Sequence, residues 1–87
     1  MSAEFELRVR YFASIREALG RGDETVLTRA NTLGELRDEL IALGGAYAEV
    51  LARQRPVRLA LNQDLRDESA ALVAGAEVAF FPPVTGG

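Results

Sequence analysis

Residues 5–12, Phe-Glu-Leu-Arg-Val-Arg-Tyr-Phe, alternate apolar and polar with period two. That pattern predicts a strand with one buried face. Phe5, Leu7, Val9 and Tyr11 point inward, and Glu6, Arg8, Arg10 and Phe12 point outward. Phe12 is therefore an aromatic ring on a face otherwise given to charge. Ser14-Ile15-Arg16-Glu17 has capping-box spacing and predicts a short helix starting at Ser14, ended by Gly20 and Gly22. Residues 24–29 predict a second strand, paired with the first as a wide hairpin. Thr32-Leu33-Gly34-Glu35 is a second capping box. Leu33, Leu36, Leu40 and Leu43 follow at helical spacing, predicting the main amphipathic helix, which Gly44 and Gly45 stop. Residues 46–53 predict a short helix with Tyr47, Val50 and Leu51 inward, and Pro56 bars its continuation. Residues 57–62 alternate again, Asn62-Gln63-Asp64 is a turn, and Leu65-Arg66 can pair back across it. Residues 67–75 are expected as loop or a single helical turn, and residues 77–81 as the last strand, with Val78 and Phe80 inward and Ala79 and Phe81 outward.

The element order is that of an α+β domain, with four to five strands, one main helix and short extra helices. An 87-residue chain has room for one core and little for a deep pocket. No apolar run approaches the ~18 residues of a membrane span, and no N-terminal apolar segment suggests export. The chain has neither Cys nor His. That removes thiolate and imidazole ligands and the commonest nucleophilic and acid–base dyads, so no metal site is expected and catalysis by this chain alone is poorly equipped. A cytoplasmic location suits these absences. The net charge of −3 argues against nucleic acid as a partner. All ten cationic residues are Arg. Without a lysine amine, the chain cannot be linked to copies of itself through lysine isopeptide bonds.

The final residues, Phe80-Phe81-Pro82-Pro83-Val84-Thr85-Gly86-Gly87, have no use for a core. Pro82 and Pro83 bar further strand or helix, and Gly86 and Gly87 have no side chain to bury. The expected division is a folded domain over 1–81 and an extended tail over 82–87, with the carboxylate of Gly87 as the reactive group at its tip.

Val9-Arg10-Tyr11-Phe12-Ala13 with Arg16-Glu17, Leu61-Asn62-Gln63, and above all residues 77–87, Glu-Val-Ala-Phe-Phe-Pro-Pro-Val-Thr-Gly-Gly, resemble the small subunit of molybdopterin synthase, the MoaD-type ubiquitin-like sulfur carriers. The terminal stretch is the specific part of the match. The extra N-terminal residues and residues 46–55 depart from the family pattern without touching the tail.

The resemblance implies a β-grasp fold, with the first and last strands parallel neighbours in mid-sheet. Strand alternation then puts Phe12 and Phe81 together on the open face, below the tail, with Ala60 and Leu65 extending the patch and Arg8, Arg10 and Arg58 around it. The resemblance further implies that an ATP-dependent activating enzyme of the MoeB type adenylates Gly87 and that sulfur replaces AMP to leave a thiocarboxylate. The tail, Val84-Thr85-Gly86-Gly87, then threads into the large, MoaE-type subunit. There sulfur passes to cyclic pyranopterin monophosphate in molybdenum cofactor biosynthesis. Two small and two large subunits are expected, with ATP consumed by the activating enzyme and no cofactor bound by this chain. The implied docking residues are Phe12, Leu65, Phe81 and Phe80, with Arg16 as a polar contact. Alternation makes Phe80 core and ranks it below Phe81.

Three further readings share part of this chemistry. A ubiquitin-like modifier would use the same activation to join Gly87 to lysines of other proteins. A sulfur carrier for thiamine thiazole or for a modified tRNA base would use the same thiocarboxylate. A plain interaction domain with an incidental tail leaves unexplained why tail, proline spacer and outward aromatics coincide.

Overall fold

The computed structural model describes residues 4–83. The alternating N-terminal segment forms strand β1 (Phe5–Tyr11), with Leu7, Val9 and Tyr11 buried and the residues between them exposed. Helix α1 (Ala13–Leu19) leads to β2 (Asp23–Thr28), which returns antiparallel to β1. Helices α2 (Leu33–Ile41) and α3 (Gly45–Val50) follow, then β3 (Arg58–Leu61), β4 (Asp64–Leu65) and β5 (Glu77–Phe81). The five strands form one mixed sheet in the order β2-β1-β5-β3-β4. Only the central pair, β1 and β5, is parallel. This is the expected β-grasp arrangement. Its core joins Leu7, Val9, Val78, Phe80, Leu59 and Leu61 of the sheet to Leu33, Leu36 and Leu40 of α2, with Ile15 and Leu51 closing the ends.

Helix α1 starts earlier than its capping box predicts. Phe12, not Ser14, is the N-cap residue, and no side chain caps the helix. The Phe12 amide donates to the Phe80 carbonyl at 3.2 Å, so this residue is held in line with the sheet. Its carbonyl accepts from Ile15 and Arg16, which makes Ala13 the turning point. Ala13 turns with φ of 53°, a left-handed conformation costing an alanine roughly 1–2 kcal/mol. At α2 the hydroxyl of Thr32 accepts from the Glu35 amide as predicted, while Glu35 reaches back to the amide of Asn31 rather than of Thr32.

Leu43 does not extend the apolar stripe of α2 and is 65% exposed. Bonds from Leu43 to Leu40 and from Gly44 to Ile41 tighten the last turn to an i→i−3 pattern, which rotates Leu43 off the stripe. Half-buried Ile41 packs against the core instead. Asn62 and Gln63 both have positive φ, 50° and 72°, the signature of a two-residue type I′ hairpin joining β3 to β4. The Asn62 side chain also accepts from the Glu77 amide at 3.0 Å, pinning the start of β5 to this hairpin.

The connection from α3 to β3 has no regular structure, and a buried charge organises it. Arg37 of α2 is 3% exposed. Its guanidinium donates to the carbonyls of Leu51 and Ala52 at 2.7 Å each, to that of Arg55 at 3.2 Å and to Glu68 at 2.8 Å. It clamps three carbonyls of the connection at once, two of which, those of Ala52 and Arg55, also accept from amides within the loop. Helical spacing alone assigned the buried side of α2 to leucines, so this arginine was not legible as a structural element.

Candidate functional site

One face of the sheet carries the core, and the other carries a pattern set by strand register. Ala79 of β5 lies between Arg10 of β1 and Ala60 of β3, and Ala60 pairs in turn with Leu65 of β4. One step toward the tail, Arg58 of β3 lies opposite Phe81. Tyr11 pairs with Phe80, so Phe12 arrives beside Phe81. Their rings meet edge to face, with centroids 6.4 Å apart and planes at 87°. The guanidinium carbon of Arg10 lies 5.1 Å from the centre of the Phe12 ring, within cation–π range.

These rows make a shallow trough. Ala60 and Ala79 floor it; they are buried even on the open face because their short side chains sink between longer neighbours. Phe12 and Phe81 stand at its tail end, and Leu65, 68% exposed, stands on its far side. Phe81 is the last residue of β5, and Pro82 follows it. The chain thus leaves the sheet directly beside the aromatic pair. An apolar trough with a positive rim suits a protein surface that grips the domain where the tail departs.

Of the implied docking residues, the structure brings together Phe12 and Phe81, with Leu65 on the same face. Phe80 does not belong with them. Its ring is fully buried and stacks on Tyr11, centroids 6.2 Å apart and planes 16° from parallel. Inward alternation puts Phe80 in the core, so its side chain cannot meet a partner. Arg16 lines a depression together with Arg8, Arg10, Phe12, Gly22 and Glu77. A Cβ at Gly22 would lie 3.1 Å from the Arg16 Nε, so the bare glycine gives this guanidinium its place. Val84, Thr85, Gly86 and Gly87 lie outside the described residues.

A polar knot braces the core side of the aromatic pair. Glu24 sits at an inward position of β2, opposite Val9. One of its oxygens accepts from the Tyr11 hydroxyl at 2.7 Å and from the Tyr47 hydroxyl at 2.6 Å, and the other accepts from Arg21 at 2.9 Å. Partial burial pushes the Glu24 carboxyl up, but the hydrogen bonds from Tyr11, Tyr47 and Arg21 together outweigh it and hold the carboxyl below its ordinary range. Burial, with the bond to Glu24 second, pushes the Tyr11 phenol far above its ordinary range. The knot ties β1, β2 and α3 together and fixes Tyr11, on which Phe80 stacks. The only sign of it in the sequence is an acidic residue at an inward strand position.

Known proteins agree with this geometry. The model of the ThiS family matches residues 9–87. The molybdopterin synthase sulfur carrier subunit of Escherichia coli (strain K12) is 37% identical over 81 residues, covering 93% of this chain and 99% of that protein. Among solved structures, the HVO 2177 protein of Haloferax volcanii superposes with a TM-score of 0.79 at 30% identity, covering 97% of this chain and 88% of that one. A chain from the complex of subunits 1 and 2 of molybdopterin-converting factor from Helicobacter pylori 26695 superposes with a TM-score of 0.64 at 31% identity, covering 95% of this chain and all of that one. The chain belongs to the ThiS family and, within it, to the molybdopterin synthase sulfur carrier subunits.

Proposed function

We propose that this chain delivers sulfur as a thiocarboxylate on Gly87 and that the trough around Phe12 and Phe81 is the surface by which its partners hold it. A carboxylate at neutral pH is a poor acyl donor. In the first step a Gly87 oxygen attacks the α-phosphorus of ATP on an activating enzyme and pyrophosphate leaves. A sulfur nucleophile then attacks the acyl carbon and AMP departs with the oxygen, leaving a thiocarboxylate. In the large subunit of the synthase that sulfur bonds to a carbon of cyclic pyranopterin monophosphate, and water then cleaves the acyl–sulfur bond, so that sulfur stays on the pterin and the tail returns as a carboxylate. Gly86 and Gly87 suit a narrow entrance because neither has a side chain. With neither Cys nor His, the chain acts as a co-substrate, and the large subunit supplies the catalytic residues. A cytoplasmic location suits an ATP-dependent activation.

One observation carries this reading: the outward aromatic pair stands at the end of β5 from which the tail departs. A partner that closes on the pair takes hold of the tail's root at the same time. The H. pylori relative was solved as a complex of subunits 1 and 2, which supports a large-subunit partner here. Intact-mass measurement of the chain purified from its native cell tests the proposal. Replacement of one terminal oxygen by sulfur is the expected result. A population found solely as isopeptide conjugates on other proteins would overturn it.

A further inference from the structure

The chain carries thirteen acidic residues against ten arginines, and half of the arginines are neutralised locally. Arg8 pairs with Asp23 at 2.8 Å, Arg21 with Glu24 at 2.9 Å, Arg37 with Glu68 at 2.8 Å and Arg53 with Asp38 at 2.8 Å. Arg29 reaches Glu4 at 3.8 Å. Near the root of the tail the pattern changes. Arg58 lies opposite Phe81 across the β3–β5 pair, and its side chain has no ion-pair or hydrogen-bond partner among the described residues. The guanidinium of Arg55 is likewise without such a partner, and Arg55 lines a groove with Pro56, Val57, Pro82 and Pro83. Arg10 has one long contact, 3.8 Å to Glu77, and otherwise leans over Phe12. Glu49 shares the groove with Arg55, Asp67 and Glu68 line a depression together with Arg58, and Glu77, at the start of β5, reaches Arg10. Arg66 lines the same depression as Arg58, and neither Arg66 nor Arg16, which lies beside Arg10 and Phe12, has an ion-pair partner among the described residues.

We propose that Arg10, Arg55 and Arg58 form a cationic collar around the root of the tail, and that it seats on a carboxylate-lined rim at the mouth of the protein that receives the tail. The inference rests on the reading of the tail as a delivered group and adds the chemistry of the receiving surface. Arg58 and Arg10 flank the aromatic pair on opposite sides, while Arg55 stands behind the two prolines. A protein closing on Phe12 and Phe81 therefore meets guanidinium groups on each side. Guanidinium groups held open at such a rim pair bidentately with carboxylates. Before contact they draw an acidic surface toward the tail end of a body that is negative overall, which orients the encounter so that the tail leads. A nucleic acid does not fit this distribution, because the remainder of the chain would repel a polyanion.

The test measures association of the full chain with the large subunit by stopped flow, between about 50 mM and about 500 mM salt. The variants are Arg55→Glu, Arg58→Glu, Arg58→Lys and Phe81→Ala. Each Arg→Glu change is expected to slow association by about tenfold or more at low salt, with much of the difference erased at high salt, while Arg58→Lys stays close to the native rate. Both side chains are free of internal partners, so thermal unfolding of the variants should match the native chain. Native association rates for both reversals, or rates independent of salt, overturn the collar. In that case a weakened complex for Phe81→Ala still leaves the docking face standing. If Phe81→Ala binds like the native chain as well, the reading of the docking face fails with the collar. A charge-reversed chain that loses affinity for single-stranded RNA, and none for the large subunit, also overturns the proposal.

Discussion

Phe12 and Phe81 meet edge to face at 6.4 Å although they come from the two ends of the chain. The parallel pairing of β1 with β5 brings them together, through the register that sets Tyr11 against Phe80. That register also decides which ring of the Phe80-Phe81 pair faces water. A slip of one residue would exchange them, burying Phe81 and exposing Phe80. The proposed docking surface and the core are thus two sides of one alignment.

Adjacent phenylalanines should therefore fail in different ways. Phe80→Ala removes a fully buried ring stacked on Tyr11 and should cost about 3–5 kcal/mol of stability. Phe81→Ala should leave the unfolding midpoint nearly unchanged and weaken binding to the large subunit by about 1–3 kcal/mol. Chemical denaturation and calorimetric titration of the two variants separate these effects. Equal loss of stability in both would mean that Phe81 is part of the core.

Much of this was legible because period-two alternation is a direct consequence of strand geometry. Leu7, Val9 and Tyr11 are buried where the pattern puts them, and Phe12 and Phe81 face outward as expected. The parallel placement of β1 beside β5 was not in the periodicity; the resemblance to a known family supplied it. Local chemistry misled where longer-range contacts outweighed it. Ser14 has capping-box spacing, yet the sheet bond from Phe12 to Phe80 starts the helix earlier. Leu43 has stripe spacing, yet the tightened end of α2 turns it to solvent. Arg37 and Glu24 were missed for another reason. Their roles depend on partners far along the chain, Leu51, Ala52 and Glu68 for one, Tyr11 and Tyr47 for the other, and no short window contains both sides of such a contact.

Arg37 should matter more for stability than any exposed arginine. Arg37→Met keeps much of the side-chain volume but takes the guanidinium donor from the buried Leu51 carbonyl, one of two donors from the Ala52 carbonyl, and the buried partner from Glu68. A loss of about 3 kcal/mol is expected, against less than about 1 kcal/mol for Arg8→Met, whose ion pair with Asp23 is exposed. Urea unfolding of the two variants makes the comparison. A small effect at Arg37 would show that the 51–55 connection holds its shape unaided.

The knot around Glu24 should give stability two pH limbs. The Glu24 carboxyl lies below its ordinary 4.5 in the folded chain, so the folded chain holds fewer protons than the unfolded one near that pH. Its stabilisation is complete above about 4.5 and is lost as pH falls through the lowered value. The Tyr11 phenol lies above its ordinary 10.0, so the folded chain keeps its proton longer. That stabilisation is complete below about 10 and drains away as pH rises further. Denaturation midpoints measured from about pH 3 to about pH 11 should fall at both ends. Tyr11→Phe should flatten the alkaline limb most, and Glu24→Gln should flatten the acid limb while weakening the alkaline one. Profiles of unchanged shape in both variants would show that other groups govern the pH dependence.

Removing Gly87 separates the scaffold from the delivered group. The core runs from β1 to β5, and the last strand ends at Phe81, so truncation at Gly86 should leave thermal unfolding unchanged. The shortened chain keeps Phe12, Leu65 and Phe81 and should still bind the large subunit. Its terminal carboxylate is one residue short, about 3.5 Å, which exceeds the tolerance within which reacting groups must be aligned. Sulfur transfer should fall below detection in a reconstituted assay with the activating enzyme, ATP and a sulfur donor. Gly86→Val should act differently: the reactive end keeps its reach, but a branched side chain now enters a passage suited to bare backbone. Adenylation and transfer assayed separately would show which of the two partners has the narrower entrance. Full sulfur transfer by the truncated chain would sever the link between Gly87 and the delivered sulfur.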